Sequence, residues 1–163
     1  MHDQYPTEGR IEWIGLTPTK GAPLDVVQTA VARIGTGLDG DRHCAQGRPT
    51  SKRQVTLIQQ EHFDTIGALL GRPVTPGECR RNVVVSGINL FSLRYARFRL
   101  GTALLEGTGG CAPCQRMEQG LGPGGYNAMR GHGGICARVI EPGEFSVGDP
   151  LVFVSADPPK GQE

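Results

Sequence analysis

The sequence predicts a mostly β protein, folded as a small closed or nearly closed β-barrel with a few short helices. Three observations support this fold class. The 163 residues include 25 glycines and 12 prolines, which favour short elements joined by turns. Many short segments are rich in β-branched residues, whereas a single segment has a clear helical pattern. Short strands at regular spacing are typical of barrels and sandwiches.

In the N-terminal half, β-branched and apolar runs predict three strands. The predicted strands are 10–16, 25–35 and 54–58. Residues 35–53 form a polar loop, and its length is more typical of functional segments than of simple connections. Residues 59–71 predict a helix, because the apolar positions recur at helical spacing and Gly71 and Pro73 end the pattern.

In the C-terminal half, strands alternate with glycine-rich turns. The predicted strands are 81–90, a hairpin over 97–107 that is broken near Gly101, and three short strands within 135–154. Residues 107–134 hold ten glycines and predict one short helix around 126–130. We expect one domain over 10–154, preceded by an extension over 1–9 and followed by a flexible tail over 155–163.

Charge and composition exclude several classes of protein. The formal net charge is +1, from 17 basic and 16 acidic residues, so bulk binding to nucleic acid or to a membrane surface is not expected. No apolar run approaches the roughly 18 residues of a membrane span, and the N-terminus has no signal-peptide pattern. An odd number of cysteines then favours reduced thiols in the cytoplasm. The cysteines are Cys44, Cys79, Cys111, Cys114 and Cys136.

The segment GGCAPCQRME, residues 109–118, places Cys111 and Cys114 in a Cys-x-x-Cys motif. A redox dithiol would open a helix beside a βαβ unit, and here a hairpin precedes the motif. A structural zinc site needs about four ligands, and no second close pair of cysteines exists. Two ordinary thiols at a turn remain possible. So does a single thiolate that holds a metal whose other ligands belong to a cofactor, with Arg116 favouring the thiolate.

Two basic segments have the residue types that bind phosphate. In CRRN, Arg80 and Arg81 precede a strand that is expected to be buried, and Asn82 adds a hydrogen-bonding amide. Guanidinium groups match phosphate oxygens with paired hydrogen bonds. GLDGDRH, residues 37–43, offers backbone N–H groups together with Arg42. For any one of these arginines, a solvated surface charge is the common alternative.

Taken in order along residues 10–154, these segments resemble the MOSC domain family, named for the C-terminal domain of molybdenum cofactor sulfurase. The matching segments are LTPTKGAPL, GLDGDRH, RQVTLIQQEH, RRNVVVSGI, FRLGTALLEGTGGCAPCQRME, GPGGYNAMRGHGGICARVI and GEFSVGDPLVFV. The resemblance implies a compact, mostly antiparallel β-barrel similar to the pyruvate kinase barrel domain. It also implies binding of molybdenum cofactor, a pterin dithiolene with a phosphate, whose metal takes one protein thiolate.

The resemblance also assigns roles to individual positions. Cys114 matches the metal ligand and thus the catalytic position. Arg80 and Asn82 match an Arg-x-Asn that contacts the pterin and its phosphate. The remaining cofactor-binding candidates line or flank the same pocket: Lys20, Arg42, Cys111 and Arg116. The glycine-rich segment 120–134 is expected to close over the cofactor.

Two activities follow from the resemblance. The first is reduction of a small N-hydroxylated or N-oxide compound by oxo transfer at a cysteine-ligated molybdenum, with an electron-donor protein as partner. The alternative is a protein without turnover, which carries sulfur or molybdenum cofactor to an apo-molybdoenzyme client.

Overall fold

The computed structural model describes residues 1–45 and 49–156 as short strands and helices. In chain order the strands are β1 Gly9–Leu16, β2 Asp25–Val27, β3 Thr29–Arg33, β4 Gly37–Leu38, β5 Val55–Gln59, β6 Val83–Ser86, β7 Arg97–Leu100, β8 Ala103–Gly110, β9 Ile135–Glu141, β10 Gly143–Ser146 and β11 Pro150–Ser155. The helices are α1 Arg42–Ala45, α2 Glu61–Leu70, α3 Pro76–Cys79, α4 Gln115–Leu121 and α5 Gly125–Met129, and Leu90–Leu93 form a 3-10 turn.

Seven strands close into a barrel, which confirms the predicted fold class. The order around the barrel is β1, β11, β7, β8, β9, β5 and β6, and β6 pairs again with β1. The pairing of Gly9 with Leu151 closes the ring between its first and last strands. All neighbouring pairs in the ring are antiparallel except β5 and β6. Strand β2 extends the ring sheet beside β1, and β10, β3 and β4 form a separate three-stranded sheet.

Apolar side chains fill the barrel, with Phe98, Phe145, Leu57 and Leu105 fully buried. Strands β5 and β6 are buried on both faces, as parallel neighbours under helices usually are. Their outward side chains contribute to a second apolar cluster, in which α2, α4 and α5 cover the barrel. Its buried members are Ile58, Ile66, Cys79, Val84, Met117, Leu121, Ala128 and Met129.

Several local predictions differ from the structure. The strand predicted over 25–35 is two strands, because β2 pairs with β1 whereas β3 pairs with β10 in the other sheet. The loop predicted over 35–53 contains β4 and α1, and its residues 46–48 lie outside the described residues. The glycine-rich segment 107–134 contains two helices, α4 and α5, rather than one. Helix α3 was not predicted, although Pro76 begins it and Thr75 with Glu78 forms a capping box.

The segment before β1 packs against β11. The ring of Tyr5, within the predicted N-terminal extension, lies 4.9 Å from the ring of Phe153 in β11, measured between centroids. The tail beyond Ala156 lies outside the described residues. The domain boundaries at 10 and 154 therefore stay predictions. In the part of the chain that the structure describes, no helix is both long and apolar enough to cross a membrane.

Candidate functional site

One polar cleft of about 360 Å³ collects side chains from five separate segments of the chain. Six of the seven residues predicted for the site line this cleft: Lys20, Arg42, Arg80, Asn82, Cys114 and Arg116. The seventh, Cys111, does not. Arg81, the second arginine of CRRN, also lines it, as do Asp41, His43 and Arg53, which were not assigned to the site. The fold thus assembles a site whose members are far apart in sequence, and we call it the cationic cleft.

The cleft has a strong excess of positive charge. Its permanently charged groups are Lys20, Arg42, Arg53, Arg80, Arg81 and Arg116, against the single carboxylate of Asp41. Across residues 1–45 and 49–156, none of these six cations forms an ion pair with a carboxylate. A concave surface with one sign of charge concentrates ligands of the opposite sign. The cleft is therefore suited to an anionic ligand.

Asp41 is the buried acidic group at the base of the cleft. Its carboxylate accepts hydrogen bonds from the Thr17 amide at 2.8 Å, the His43 amide at 3.2 Å, His43 Nδ1 at 3.0 Å and Asn82 Nδ2 at 3.1 Å. Burial alone would raise the pKa of Asp41, but the hydrogen bonds from His43 and Thr17 outweigh burial and hold that pKa below its ordinary value. Asp41 therefore stays ionised and orients the His43 ring.

Asn82 is the residue that joins three segments beneath the cleft. Its Oδ1 accepts from the amide of Thr56 at 3.1 Å and from the Thr56 hydroxyl at 3.2 Å. Its Nδ2 donates to the Gly15 carbonyl and to Asp41, both at 3.1 Å. Both donor positions and the acceptor of this amide are occupied by protein groups. The amide therefore fixes the positions of β1, β5 and Asp41 relative to one another.

Arg81 is a buried cation, only 2% exposed, whose partners are main-chain carbonyls. Its guanidinium donates to Gly133 O at 2.9 Å, Cys111 O at 3.2 Å and Cys79 O at 3.3 Å. These bonds join the end of α3 to the segments on either side of α4 and α5. They neutralise no charge, so Arg81 adds a positive potential to the cleft at close range.

Arg80 has an unusual backbone conformation. It follows α3 in the left-handed region, with φ 55° and ψ 30°, and is the only non-glycine residue with positive φ among the described residues. This conformation disfavours side chains other than glycine and asparagine. It turns the chain directly from α3 into β6, and the Arg80 side chain reaches the Ala22 carbonyl at 2.9 Å beside Lys20. Non-glycine residues in this conformation cluster at functional sites.

The two cysteines of the Cys-x-x-Cys motif lie in different environments. Cys114 is exposed in the cationic cleft, at the residue preceding α4, and its thiol is free. Cys111 is 3% exposed, and its sulfur lies next to Cys136 of β9. Cys111 lines a second cleft of about 330 Å³, whose walls include Phe91, Tyr126 and the glycines 131, 133 and 134. We call this the glycine-walled cleft.

The glycine-rich segment packs against the barrel instead of forming an open loop. A Cβ at Gly134 would overlap the Leu57 carbonyl of β5, and Gly134 has φ 85°. The neighbouring Gly133 lies against the Cys111 carbonyl with similarly little room. Close packing of main chain on main chain therefore explains these glycines.

A larger cavity of about 700 Å³ lies beside the N-terminal segment, lined by Tyr5, Ile88, Tyr95 and Phe153 among others. None of the residues predicted for the site lines this larger cavity. Its walls also lack the concentration of cations found in the cationic cleft. The chemistry of the side chains, and not the volume, therefore selects the cationic cleft as the candidate site.

Some cleft residues could have been assigned from the sequence. Arg81 adjoins Arg80 in CRRN, and Asp41 and His43 flank Arg42 in GLDGDRH. What the sequence lacks is the pairing of Asp41 with Asn82, which joins two segments about forty residues apart.

The fold and the site together define a small β-barrel domain with a cationic cleft beside a free thiol. The family model described as "MOSC domain" matches residues 38–152. The chain therefore belongs to the MOSC domain family, as its motifs indicated, and this membership implies binding of molybdenum cofactor.

Three crystal structures have a similar fold. YuaD from Bacillus subtilis has a TM-score of 0.77 and 22% identity, over 91% of this chain and 97% of that chain. YiiM from Geobacillus stearothermophilus has a TM-score of 0.72 and 22% identity, over 90% and 75%. YiiM from Escherichia coli has a TM-score of 0.70 and 21% identity, over 92% and 71%. At these identities the similarity concerns the fold alone. No curated protein sequence matches the chain.

Proposed function

We propose that this protein binds molybdenum cofactor in the cationic cleft and reduces small N-hydroxylated or N-oxide compounds. The observation that supports this most directly is the presence of the exposed Cys114 thiol in the same cleft as six cations. A thiolate is the ligand type that thiophilic metals prefer, and clustered guanidinium groups are suited to phosphate. Few other ligands need both groups at once.

The residues of the cleft fit the chemistry of this cofactor. The pterin phosphate is dianionic, and the cleft offers several cations without carboxylate partners among the described residues. Across the same residues, no cluster of three or more His, Cys, Asp and Glu side chains forms a metal site. A metal held by Cys114 would thus take its other ligands from the pterin dithiolene. This matches a cofactor site better than a zinc site, which needs about four protein ligands.

In this proposal the residues divide into three groups. Cys114 is the metal ligand. Arg80, Arg116, Lys20 and Arg42 bind the phosphate and the polar edge of the pterin. Asn82, whose amide has protein partners, acts as a positioning residue together with Asp41.

When bound, molybdenum cofactor supplies oxo transfer, which breaks the N–O bond of the substrate. Reduction of a hydroxylamine to an amine and water consumes two electrons and two protons. We assign the electrons to an electron-donor protein, one proton to His43 and the other proton to solvent water. Asp41 holds Nδ1 of His43 at 3.0 Å, which leaves Nε2 of that ring as the atom that exchanges the proton.

The test compares the two cysteines of the motif in protein from a host that makes molybdenum cofactor. Cys114→Ser replaces a soft thiolate by a hard hydroxyl, so we expect it to lose most molybdenum and all reduction of a hydroxylamine by a reduced viologen dye. Cys111→Ser is the matched control, because Cys111 does not line the cleft, and it should keep metal and activity.

Two results would contradict the proposal. Full retention of molybdenum in Cys114→Ser would remove that residue as the ligand, and equal loss in both variants would indicate a site that needs both sulfurs. A third result would keep the cofactor site but change the activity. If the loaded wild-type protein reduces no N-hydroxylated compound and instead transfers cofactor or sulfur to an apo-molybdoenzyme, it is a carrier.

A further inference from the structure

The pairing of β8 with β9 brings Cys111 beside Cys136, a residue that the Cys-x-x-Cys motif does not include. Strands β8 and β9 pair so that Gly109 lies opposite Cys136, and the Cys111 amide donates to the Gly134 carbonyl at 2.9 Å. Cys111 and Gly109 are two residues apart and share a face of the strand. Because Gly109 has no side chain, the space opposite Cys136 is open to the sulfur of Cys111.

The two thiols form an unequal pair. The pairing of β8 with β9 places the Cys136 side chain beside that of Cys111. The contact with Cys136, helped by the charges of Arg81 and Arg53, outweighs burial and lowers the pKa of Cys111 to about 6. The same contact raises the pKa of Cys136. Cys111 is therefore the more acidic thiol of the pair, and an acidic thiol beside a second thiol is the combination that forms disulfides.

Small molecules have a route to this pair. Cys111 lines the glycine-walled cleft, and Cys136 is partly exposed. Cys114 lies in the cationic cleft, on the other side of the connecting residues Ala112 and Pro113. Cys111 and Cys114 therefore face different clefts, and a small molecule that reaches one thiol does not thereby reach the other.

We propose that Cys111 and Cys136 are a redox pair, which a hydroperoxide oxidises to a reversible disulfide while Cys114 stays free. In the first step the Cys111 thiolate attacks the peroxide, breaks its O–O bond, becomes a sulfenic acid and releases an alkoxide, which is hydroxide when the oxidant is hydrogen peroxide. In the second, the Cys136 thiol displaces that hydroxyl group as water and forms the S–S bond. The two thiols lose two electrons, and the peroxide gains them. This proposal does not depend on the molybdenum site.

The experiment uses the full chain, reduced and then treated with an equimolar amount of hydrogen peroxide. Free thiols are alkylated under denaturing conditions and the protein is cleaved after lysine and arginine. Cys111 and Cys114 share the peptide 100–116, whereas Cys136 lies in 131–138. We expect the two peptides to become cross-linked, with Cys114 alkylated, and dithiothreitol to separate them again.

Three cysteines serve as controls in the same digest. Cys79 is buried, and burial raises its pKa to about 12, so it should remain a reduced thiol, as should Cys44. Cys114→Ser should leave the cross-link unchanged, whereas Cys136→Ser and, as a second variant, Cys136→Ala should abolish it. A disulfide within peptide 100–116, a cross-link that depends on Cys114, or five free thiols after peroxide would each overturn the proposal.

Discussion

The two sides of the segment Cys111–Cys114 differ in nearly every chemical property. On one side, the cationic cleft has six cations, one ionised carboxylate and an exposed thiol. On the other, the glycine-walled cleft is lined mainly by apolar side chains and glycine backbone, with the mostly buried thiol of Cys111 in its wall. Cys111 and Cys114 are thus only three positions apart in the sequence, yet Cys114 lies in a site suited to an anionic ligand and Cys111 belongs to a buried pair of sulfurs.

This difference shows that spacing alone does not pair two cysteines. Cys111 continues strand β8, whereas Cys114 precedes α4, so the chain turns between them and their side chains diverge. The segment Cys111–Cys114 forms a wall between the two clefts. Arg81 contacts both sides of this wall, because its side chain lines the cationic cleft and donates to the carbonyls of Cys111 and Gly133. The wall is therefore the feature on which both sides depend.

The largest effect should come from a substitution at Gly134, whose carbonyl accepts a hydrogen bond from the Cys111 amide of this wall. In Gly134→Val, the side chain would overlap the Leu57 carbonyl at a position with φ 85°. We expect the free energy of unfolding to fall by about 4 kcal/mol, measured by urea denaturation. Both the cofactor content and the Cys111–Cys136 cross-link should fall with it.

Gly131→Val is the matched control for steric overlap. Gly131 also lines the glycine-walled cleft and has φ 80°, but no described atom lies within 4 Å of the place that a Cβ would occupy there. It should lose only about 1–2 kcal/mol, from backbone conformation. Equal losses in the two variants would show that overlap at Gly134 is not the cause.

A smaller effect, confined to the cationic cleft, should follow from Arg80→Ala. Alanine and arginine tolerate the left-handed backbone about equally, so the fold should remain, while the phosphate loses a charged donor. We expect affinity for the cofactor to fall by about 2 kcal/mol, roughly 30-fold, measured as pterin retained per protein. Arg99→Ala, outside both clefts, should retain wild-type pterin, and unchanged pterin in Arg80→Ala would remove Arg80 from the site.

His43→Gln should separate binding from proton transfer. The amide of glutamine is polar but does not exchange a proton near neutral pH. We expect molybdenum content within about 2-fold of wild type and at least a roughly 10-fold lower rate of hydroxylamine reduction, since positioned acids typically contribute about 100-fold or more. If the rate and its dependence on pH stay unchanged, the proton comes from another group.

The smallest effect concerns stability in acid. Because the folded pKa of Asp41 lies below its unfolded value of about 4, its carboxylate stabilises the fold above that pH, and the contribution is lost as pH falls through the folded pKa. Asp41→Asn should therefore unfold with a weaker dependence on pH below about 4 than wild type does. Asp64→Asn, on the exposed face of α2, is the control, and identical pH profiles for Asp41→Asn and wild type would contradict this role.

Much of the fold was predictable because barrel strands have short-range signatures. The β-branched run before Ser86 and the turns around Gly101 are visible in sequence, and so is the helical spacing in 59–71. The switch of the chain between two sheets within 25–35 was not, because pairing partners more than a hundred residues away decide it. Helix α4 was missed because Gly120 lies within it and Gly122 directly follows it, and glycine lowers intrinsic helix propensity.

For the site, the sequence provided the residue types but not their contacts. Motif resemblance placed Lys20, Arg80 and Cys114 together, and the structure has all three in one cleft. No sequence signal connected Cys111 with Cys136. The register between β8 and β9, together with the absence of a side chain at Gly109, brings these two residues together. The roles of Lys20, Arg80 and Cys114 in binding stay predictions until the variants are measured.

The pairing of β1 with β11, which closes the ring, has a consequence for how the protein folds. It joins two strands that lie more than a hundred residues apart, so the ring closes only when both strands and the chain between them are present. Contacts between such distant residues form slowly, because the entropy of the intervening chain must be lost first. The cationic cleft draws on segments from Thr17 to Met117. A chain that lacks β11 therefore cannot close the ring that supports this cleft.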